Sequence, residues 1–256
     1  MTAMAGTTRP SKSSELAAKA EQTLSAGDTF EAERMAMRAM ASARSERDYE
    51  CMATIVGTLL EARQRRLKAA LSLKRITIID APIGEDVKAS KGMYLVRPPQ
   101  VGADARRLRL AAFEQNVPAV VLCREPLTRI KLVPVVSISP GTTVRAKVLP
   151  PKSLDKPDVP WFIAAMQALG AMAIDSLDPS MSAERRVDAL LERLDAVPEH
   201  EGLHVALQQA CLDARVERDQ DLAERAARKC EKTDSGDPVA TRPRDDDENG
   251  DEDQVE

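Results

Sequence analysis

The sequence predicts a mixed α+β protein, and three observations carry that prediction. Helical periodicity occupies the first and last thirds of the 256-residue chain, β-branched and aliphatic runs occupy the middle, and the end is polar and acidic. We therefore expect N-terminal helical hairpins, a small central α/β sheet block, C-terminal helices and a disordered acidic tail. The predicted segments are 1–12 (disordered), 13–72 (helical), 73–156 (α/β block), 157–229 (helical) and 230–256 (disordered tail).

Three helices are predicted in segment 13–72. Ser13 or Ser14 can cap the first helix, Gly27-Asp28 forms a short turn, and Thr29 can cap the second helix. The third helix has the clearest pattern, a single apolar stripe at helical spacing that predicts a buried face. The stripe consists of Tyr49, Met52, Ala53, Val56, Leu59, Leu60 and Leu67.

The second helix resembles part of a tetratricopeptide repeat. Gly27-Asp28 stands at the turn, and Ala32, Ala36 and Ala39 follow where that family places small packing residues. Three positions depart from the family pattern, which favours Trp, Leu and Pro where this chain has Leu16, Lys19 and Arg44. The resemblance covers about one repeat and one further helix, and it implies a helical module that receives a protein partner. Because one repeat cannot bury a continuous core alone, the module must pack on the rest of the chain or on a partner.

The middle of the chain predicts a sheet. Residues 76–79, 93–96, 119–123, 133–139 and 143–149 have the composition of strands, and residues 104–115 have the pattern of an amphipathic helix. Strand, helix and strand in succession predict a βαβ unit, with an antiparallel hairpin after it. Prolines at 150, 151, 157 and 160 separate this block from predicted helices at 161–174, 182–194 and 199–229.

Composition predicts the environment of the protein. Residues 1–12 contain no apolar leader, and the apolar stretch 161–174 is shorter than the roughly 20 residues needed to span a bilayer. The four cysteines lie at no zinc-binding spacing, which favours free thiols in a reducing compartment. We therefore expect a cytoplasmic protein without a membrane contact and without a cofactor. The cysteines are Cys51, Cys123, Cys211 and Cys230.

Charge is unevenly distributed along the chain. Segment 74–152 contains fourteen Lys and Arg against six Asp and Glu, whereas segment 231–256 contains eleven acidic residues against three basic ones. A basic block joined to an acidic tail indicates either a polyanion-binding module whose tail competes for the same surface, or a tail that keeps the protein in solution. Aromatic residues form only 2% of the chain, which disfavours base stacking on aromatic platforms.

The basic block contains a candidate anion-binding set of arginines. Some lie in the loop and helix that follow residue 96, and others follow the next strand, at the edge where open α/β sheets bind ligands. The alternative is a solvated arginine-rich face, since neither a phosphate loop nor a dinucleotide fingerprint is present. The candidates are Arg97, Arg106, Arg107, Arg109, Arg124 and Arg129.

One motif has the residues of a metal centre. His200, Glu201 and His204 form an H-E-x-x-H string that resembles the zincin metalloprotease signature, which implies two zinc ligands and Glu201 as general base. Against this, Pro198 favours a helix start that places His200 in the first turn, and no third histidine follows. The alternative is a chance match at two structural histidines.

Three functions follow from these observations. The first, which requires least of the sequence, is a non-enzymatic interaction or adaptor protein whose N-terminal helices receive a protein partner. The second is binding of a polyanion, either nucleic acid or a phosphate ligand, by the basic block under control of the acidic tail. The third is a zinc-dependent hydrolase centred on His200, Glu201 and His204.

Overall fold

The computed structural model describes residues 11–234, with side chains described as far as residue 229. Over these residues the chain forms seven helices and five strands. The helices are α1 Lys12–Ser25, α2 Thr29–Glu46, α3 Tyr49–Leu71, α4 Gly102–Glu114, α5 Val159–Asp175, α6 Ala183–Ala196 and α7 Glu201–Asp234. The strands are β1 Ile76–Ile79, β2 Gly92–Val96, β3 Ala119–Arg124, β4 Val133–Ile138 and β5 Thr143–Val148.

Side-chain caps fix where the first three helices begin. Ser11 Oγ accepts the backbone N–H of Ser14 at 3.2 Å, so α1 starts at Lys12, inside the segment predicted to be disordered. The predicted caps Ser13 and Ser14 are therefore wrong. Asp28 caps α2 because its carboxylate accepts a backbone N–H of the first turn, so the predicted cap Thr29 is wrong as well. Asp48 caps α3 in the same way as Asp28 caps α2.

The five strands form one mixed sheet in the order β1-β2-β3-β4-β5. The pairs β1–β2 and β2–β3 are parallel, and β3–β4 and β4–β5 are antiparallel. The structure thus confirms the α+β class, the βαβ unit, which is β2-α4-β3, and the antiparallel hairpin, which is β4-β5. The carboxyl ends of β1, β2 and β3 consequently share one edge of the sheet.

The sheet is covered on both faces. Helix α4 packs on one face, where Tyr94, Val96, Cys123 and Val136 form a cluster with Leu108. The opposite face contributes to the main core, which contains buried residues from α1, α2 and α3, from the sheet, and from α5, α6 and α7. Alternation along the strands sends successive side chains to these two faces.

One core therefore joins the three segments predicted as 13–72, 73–156 and 157–229. The described residues up to Glu217 belong to one unit, and Arg218 begins a second unit of which the structure describes the helical residues to Asp234. Helix α7 continues past residue 230, where the sequence predicted the start of the disordered tail. The rest of that predicted tail, 235–256, lies outside the described residues, as does 1–10. No helix in the described part of the chain is long and apolar enough to cross a membrane.

Candidate functional site

A group of ionisable side chains is buried where α2, α3 and α7 meet. This buried charge cluster consists of Glu33, Arg63, Arg66 and His204. Arg63 Nε donates to Glu33 Oε1 at 2.8 Å, and Arg66 Nη2 forms an ion pair with Glu33 Oε2. The side chains of Arg63 and Glu33 are only 6% and 4% exposed. One carboxylate thus pairs with two guanidinium groups, so each of these buried charges has a partner of opposite sign.

His204 completes the buried charge cluster in its neutral form. Its Nδ1 lies 3.0 Å from the carbonyl oxygen of His200, which can only accept, so Nδ1 carries the proton. Its Nε2 then accepts from Arg63 Nη1 at 3.3 Å. Burial, followed by the charge of Arg63, lowers the pKa of His204 to about 3. The histidine therefore stays uncharged throughout the physiological pH range.

Aromatic rings enclose Arg66. Its guanidinium carbon lies 5.0 Å from the ring centroid of Phe30 and 5.3 Å from that of Phe113, both cation–π distances. Burial lowers the pKa of Arg66, and Glu33 opposes that shift. A cavity of about 60 Å³ beside these residues also reaches Arg109 and Glu199. That volume has room for a few water molecules only, which is too small for an organic ligand. The contacts of the buried charge cluster are therefore with other residues of the protein, and its role is structural.

The H-E-x-x-H string does not present two free imidazoles to a common point. His200 precedes α7, its Nδ1 accepts the backbone N–H of Leu203 at 3.2 Å, and its ring packs against Gly170 of α5 so closely that a Cβ there would overlap it. His204 uses both ring nitrogens within the protein. Among the described residues, no group of three or more His, Cys, Asp or Glu could hold a metal ion. The zinc hydrolase stays a prediction that this geometry does not favour.

The candidate anion-binding arginines fall in several places. Arg109 points inward and donates to the carbonyl oxygens of Ala196 at 2.7 Å and Ile138 at 3.4 Å. Arg106 and Arg107 line a separate concavity beside α4, where Arg107 pairs with Asp104 at 3.2 Å. Arg129 is exposed in the loop between β3 and β4. Of the six candidates, only Arg97 and Arg124 lie together at the carboxyl edge of the parallel strands.

This sheet edge carries a second charged group, the edge cluster, formed by Asp80, Arg97, Arg124 and Asp155. Arg97 donates to Asp80 through Nε at 3.1 Å and Nη2 at 2.7 Å, and to Asp155 through Nη1 at 2.7 Å. The side chain of Arg124 makes no hydrogen bond or ion pair with any described residue, and its Nε is buried. The edge cluster borders an open concavity of about 560 Å³, whose walls also include Pro98, Pro99 and Pro126.

A third feature is a groove between α1 and α3, with a volume of about 430 Å³. Three carboxylate residues line this α1–α3 groove, and no Lys or Arg is among the described residues that line it. The remaining lining residues are mostly small. The full lining is Ser14, Ala17, Ala18, Glu21, Asp48, Glu50, Cys51, Thr54, Ile55 and Thr58.

Sequence reasoning found the two arginines of the edge cluster but missed the buried charge cluster and the α1–α3 groove. One signal for the former was available: Arg63 lies four residues after Leu59 and four before Leu67, on the apolar stripe of α3. A charged residue on such a stripe indicates a buried partner. Comparison of the chain with protein-family models, with curated proteins and with solved structures found no match.

Proposed function

We propose that this protein is a non-enzymatic interaction protein that receives a basic segment of a protein partner in the α1–α3 groove. The observation that carries the proposal is the charge of the groove, whose described lining contains Glu21, Asp48 and Glu50 without a cation. Complementary potentials steer a partner of opposite charge to such a surface and fix its orientation.

The walls of the α1–α3 groove suit a close approach of another chain. Ala17 and Ala18 on α1 face Thr54 and Thr58 on α3, so short side chains line most of its length. Ile55 is 1% exposed and forms an apolar floor. A partner segment with alternating basic and apolar residues could therefore place apolar side chains in the groove and cations at its rim.

Two of the three carboxylates of the groove can change partners, whereas Asp48 caps α3. Glu21 is exposed, and the ion pair of Glu50 with Arg215, at 3.0 Å, has side chains that are 72% and 44% exposed. An ion pair this exposed contributes roughly 0–1 kcal/mol. A cation from a partner can thus replace Arg215 at little cost.

Fluorescence anisotropy with two labelled peptides of equal length tests the proposal. One peptide alternates Lys with Leu, and the other replaces each Lys by Glu. We expect the basic peptide alone to bind, with an affinity that decreases as salt increases. Glu21→Lys should weaken binding roughly tenfold, which corresponds to about 1.4 kcal/mol.

The matched control is Glu114→Lys, which makes the same charge change at an exposed position on α4. We expect Glu114→Lys to bind the basic peptide as the wild type does, and circular dichroism should show both variants folded. Equal weakening by the two variants would mean that the peptide responds to net charge alone, and the α1–α3 groove would then have no role.

A further inference from the structure

We infer that the edge cluster is a binding site for the phosphate group of a small ligand, held between Arg97 and Arg124. The edge cluster and the α1–α3 groove share no lining residue, so this binding site does not depend on the function proposed for the groove. Its basis is a guanidinium group that forms no ion pair, and whose buried Nε has no hydrogen-bond acceptor, beside an open concavity.

The position of the edge cluster is the first argument. Asp80 follows the last residue of β1, Arg97 follows the last residue of β2, and Arg124 is the last residue of β3. These three strands are parallel, so their carboxyl ends lie side by side. Open α/β sheets bind their ligands in the crevice outside this edge.

The state of Arg124 is the second argument. Its Nε is buried and has no hydrogen-bond acceptor, an arrangement that costs free energy in a folded protein. Burial and the neighbouring charge of Arg97 lower the pKa of Arg124. An anion placed between the two guanidinium groups would supply the missing acceptor and relieve their mutual repulsion.

The partners of Arg97 are the third argument, because they can be displaced. Asp155 is 83% exposed and Asp80 is 50% exposed, and ion pairs at such positions contribute little. A phosphate at the concavity would therefore compete with Asp155 for Nη1 of Arg97. Asp155 acts as an internal competitor of the ligand, whereas Asp80 orients Arg97 from the other side.

The shape and charge of the site favour a small ligand over a nucleic acid. A concavity of about 560 Å³ has the volume of small-molecule pockets. Two arginines can grip one phosphate through paired N–H donors, while Asp80 and Asp155 would repel an extended polyanion. None of the described residues that line the concavity is aromatic, so it offers no platform for base stacking.

Isothermal titration of the full chain with inorganic pyrophosphate tests the inference, with sodium chloride at equal ionic strength as the blank. We expect saturable binding in the millimolar range or tighter. Arg124→Gln should weaken it at least tenfold. Asp155→Asn should strengthen it severalfold, because it removes the competing charge and keeps the side-chain shape. Arg129→Gln, which removes an exposed arginine from the following loop, should leave it unchanged.

Several results would contradict a phosphate site at the edge cluster. No saturable binding, or equal weakening by Arg129→Gln and Arg124→Gln, would overturn the inference, as would weaker binding by Asp155→Asn. Tighter binding of a single-stranded oligonucleotide that is insensitive to Arg124→Gln would replace the site with a diffuse basic surface. Circular dichroism of all three variants confirms that they are folded. A negative result leaves the peptide experiment on the α1–α3 groove unaffected.

Discussion

The buried charge cluster and the edge cluster use the same chemical groups in opposite environments. In the first, Glu33 and Arg63 are 4% and 6% exposed, and the ion pairs join α2 to α3 inside the protein. In the second, Asp155 is 83% exposed and the side chain of Arg124 forms no ion pair or hydrogen bond with the described residues. Solvent access therefore separates charges that hold the fold from charges that can exchange partners.

The comparison has an energetic basis. Breaking a buried ion pair leaves a charge without compensation in a medium that cannot solvate it, which costs about 3–5 kcal/mol. An exposed pair contributes roughly 0–1 kcal/mol because water replaces the lost partner. The two clusters should thus respond very differently to the loss of one carboxylate.

The largest effect is expected at Glu33. Among the described residues, Glu33 is the only carboxylate that pairs directly with both Arg63 and Arg66. Glu33→Gln removes it, so the free energy of unfolding should decrease by about 3–5 kcal/mol. Urea denaturation measures this change. Glu61→Gln is the matched control, because Glu61 pairs with Arg65 at 2.7 Å on the surface of α3 and its loss should cost under about 1 kcal/mol. Equal costs would show that burial does not distinguish the two pairs.

A smaller decrease in the free energy of unfolding is expected at His204 when the pH is lowered. Its pKa is about 3 in the folded protein and 6.5 when exposed, so the unfolded chain takes up a proton first as pH falls. The stability that neutral His204 provides is complete above pH 6.5 and decreases steadily down to about pH 3. At pH 5 the loss should be about 2 kcal/mol, since one pKa unit corresponds to about 1.4 kcal/mol.

Comparison with His204→Asn isolates this effect. Asparagine keeps an N–H donor for the carbonyl oxygen of His200 but does not titrate. The variant should be less stable than the wild type at pH 7. The gap between their free energies of unfolding should narrow by about 2 kcal/mol between pH 7 and pH 5. Burial also lowers the pKa of His200. Because His200 is present in both proteins, its contribution cancels in the difference between their stabilities. A gap that stays constant with pH would mean that the pKa of His204 is the same in the folded and the unfolded protein.

The fold was largely predictable because burial imposes a period on the sequence. The apolar stripe from Tyr49 to Leu67 has the spacing of a buried helix face, and 93–96 is a continuous apolar run typical of a strand buried on both faces. Both elements form where expected. The helix caps were less predictable, because Ser11, Ser13 and Ser14 offer nearly the same chemistry within one turn. Only the backbone geometry selects Ser11.

A site residue was predictable only where its place directly after a strand determines its position in the fold. Arg97 and Arg124 could be placed at one edge because both follow predicted strands. Arg109 was grouped with them, yet the face of α4 that carries it turns inward to Ala196. Glu33 and Arg63 were missed because their pairing joins residues thirty positions apart on different helices, and helix packing cannot be read from a single segment.

The smallest effect is expected at Asp155. Asp155→Asn should change the free energy of unfolding by less than about 1 kcal/mol in phosphate-free buffer, because water and Asp80 still solvate Arg97. Urea denaturation beside Glu33→Gln gives the direct comparison. If Asp155→Asn instead cost as much as Glu33→Gln, Asp155 would be a fixed structural partner of Arg97. A ligand could not then displace it, and the edge cluster would be a second structural network.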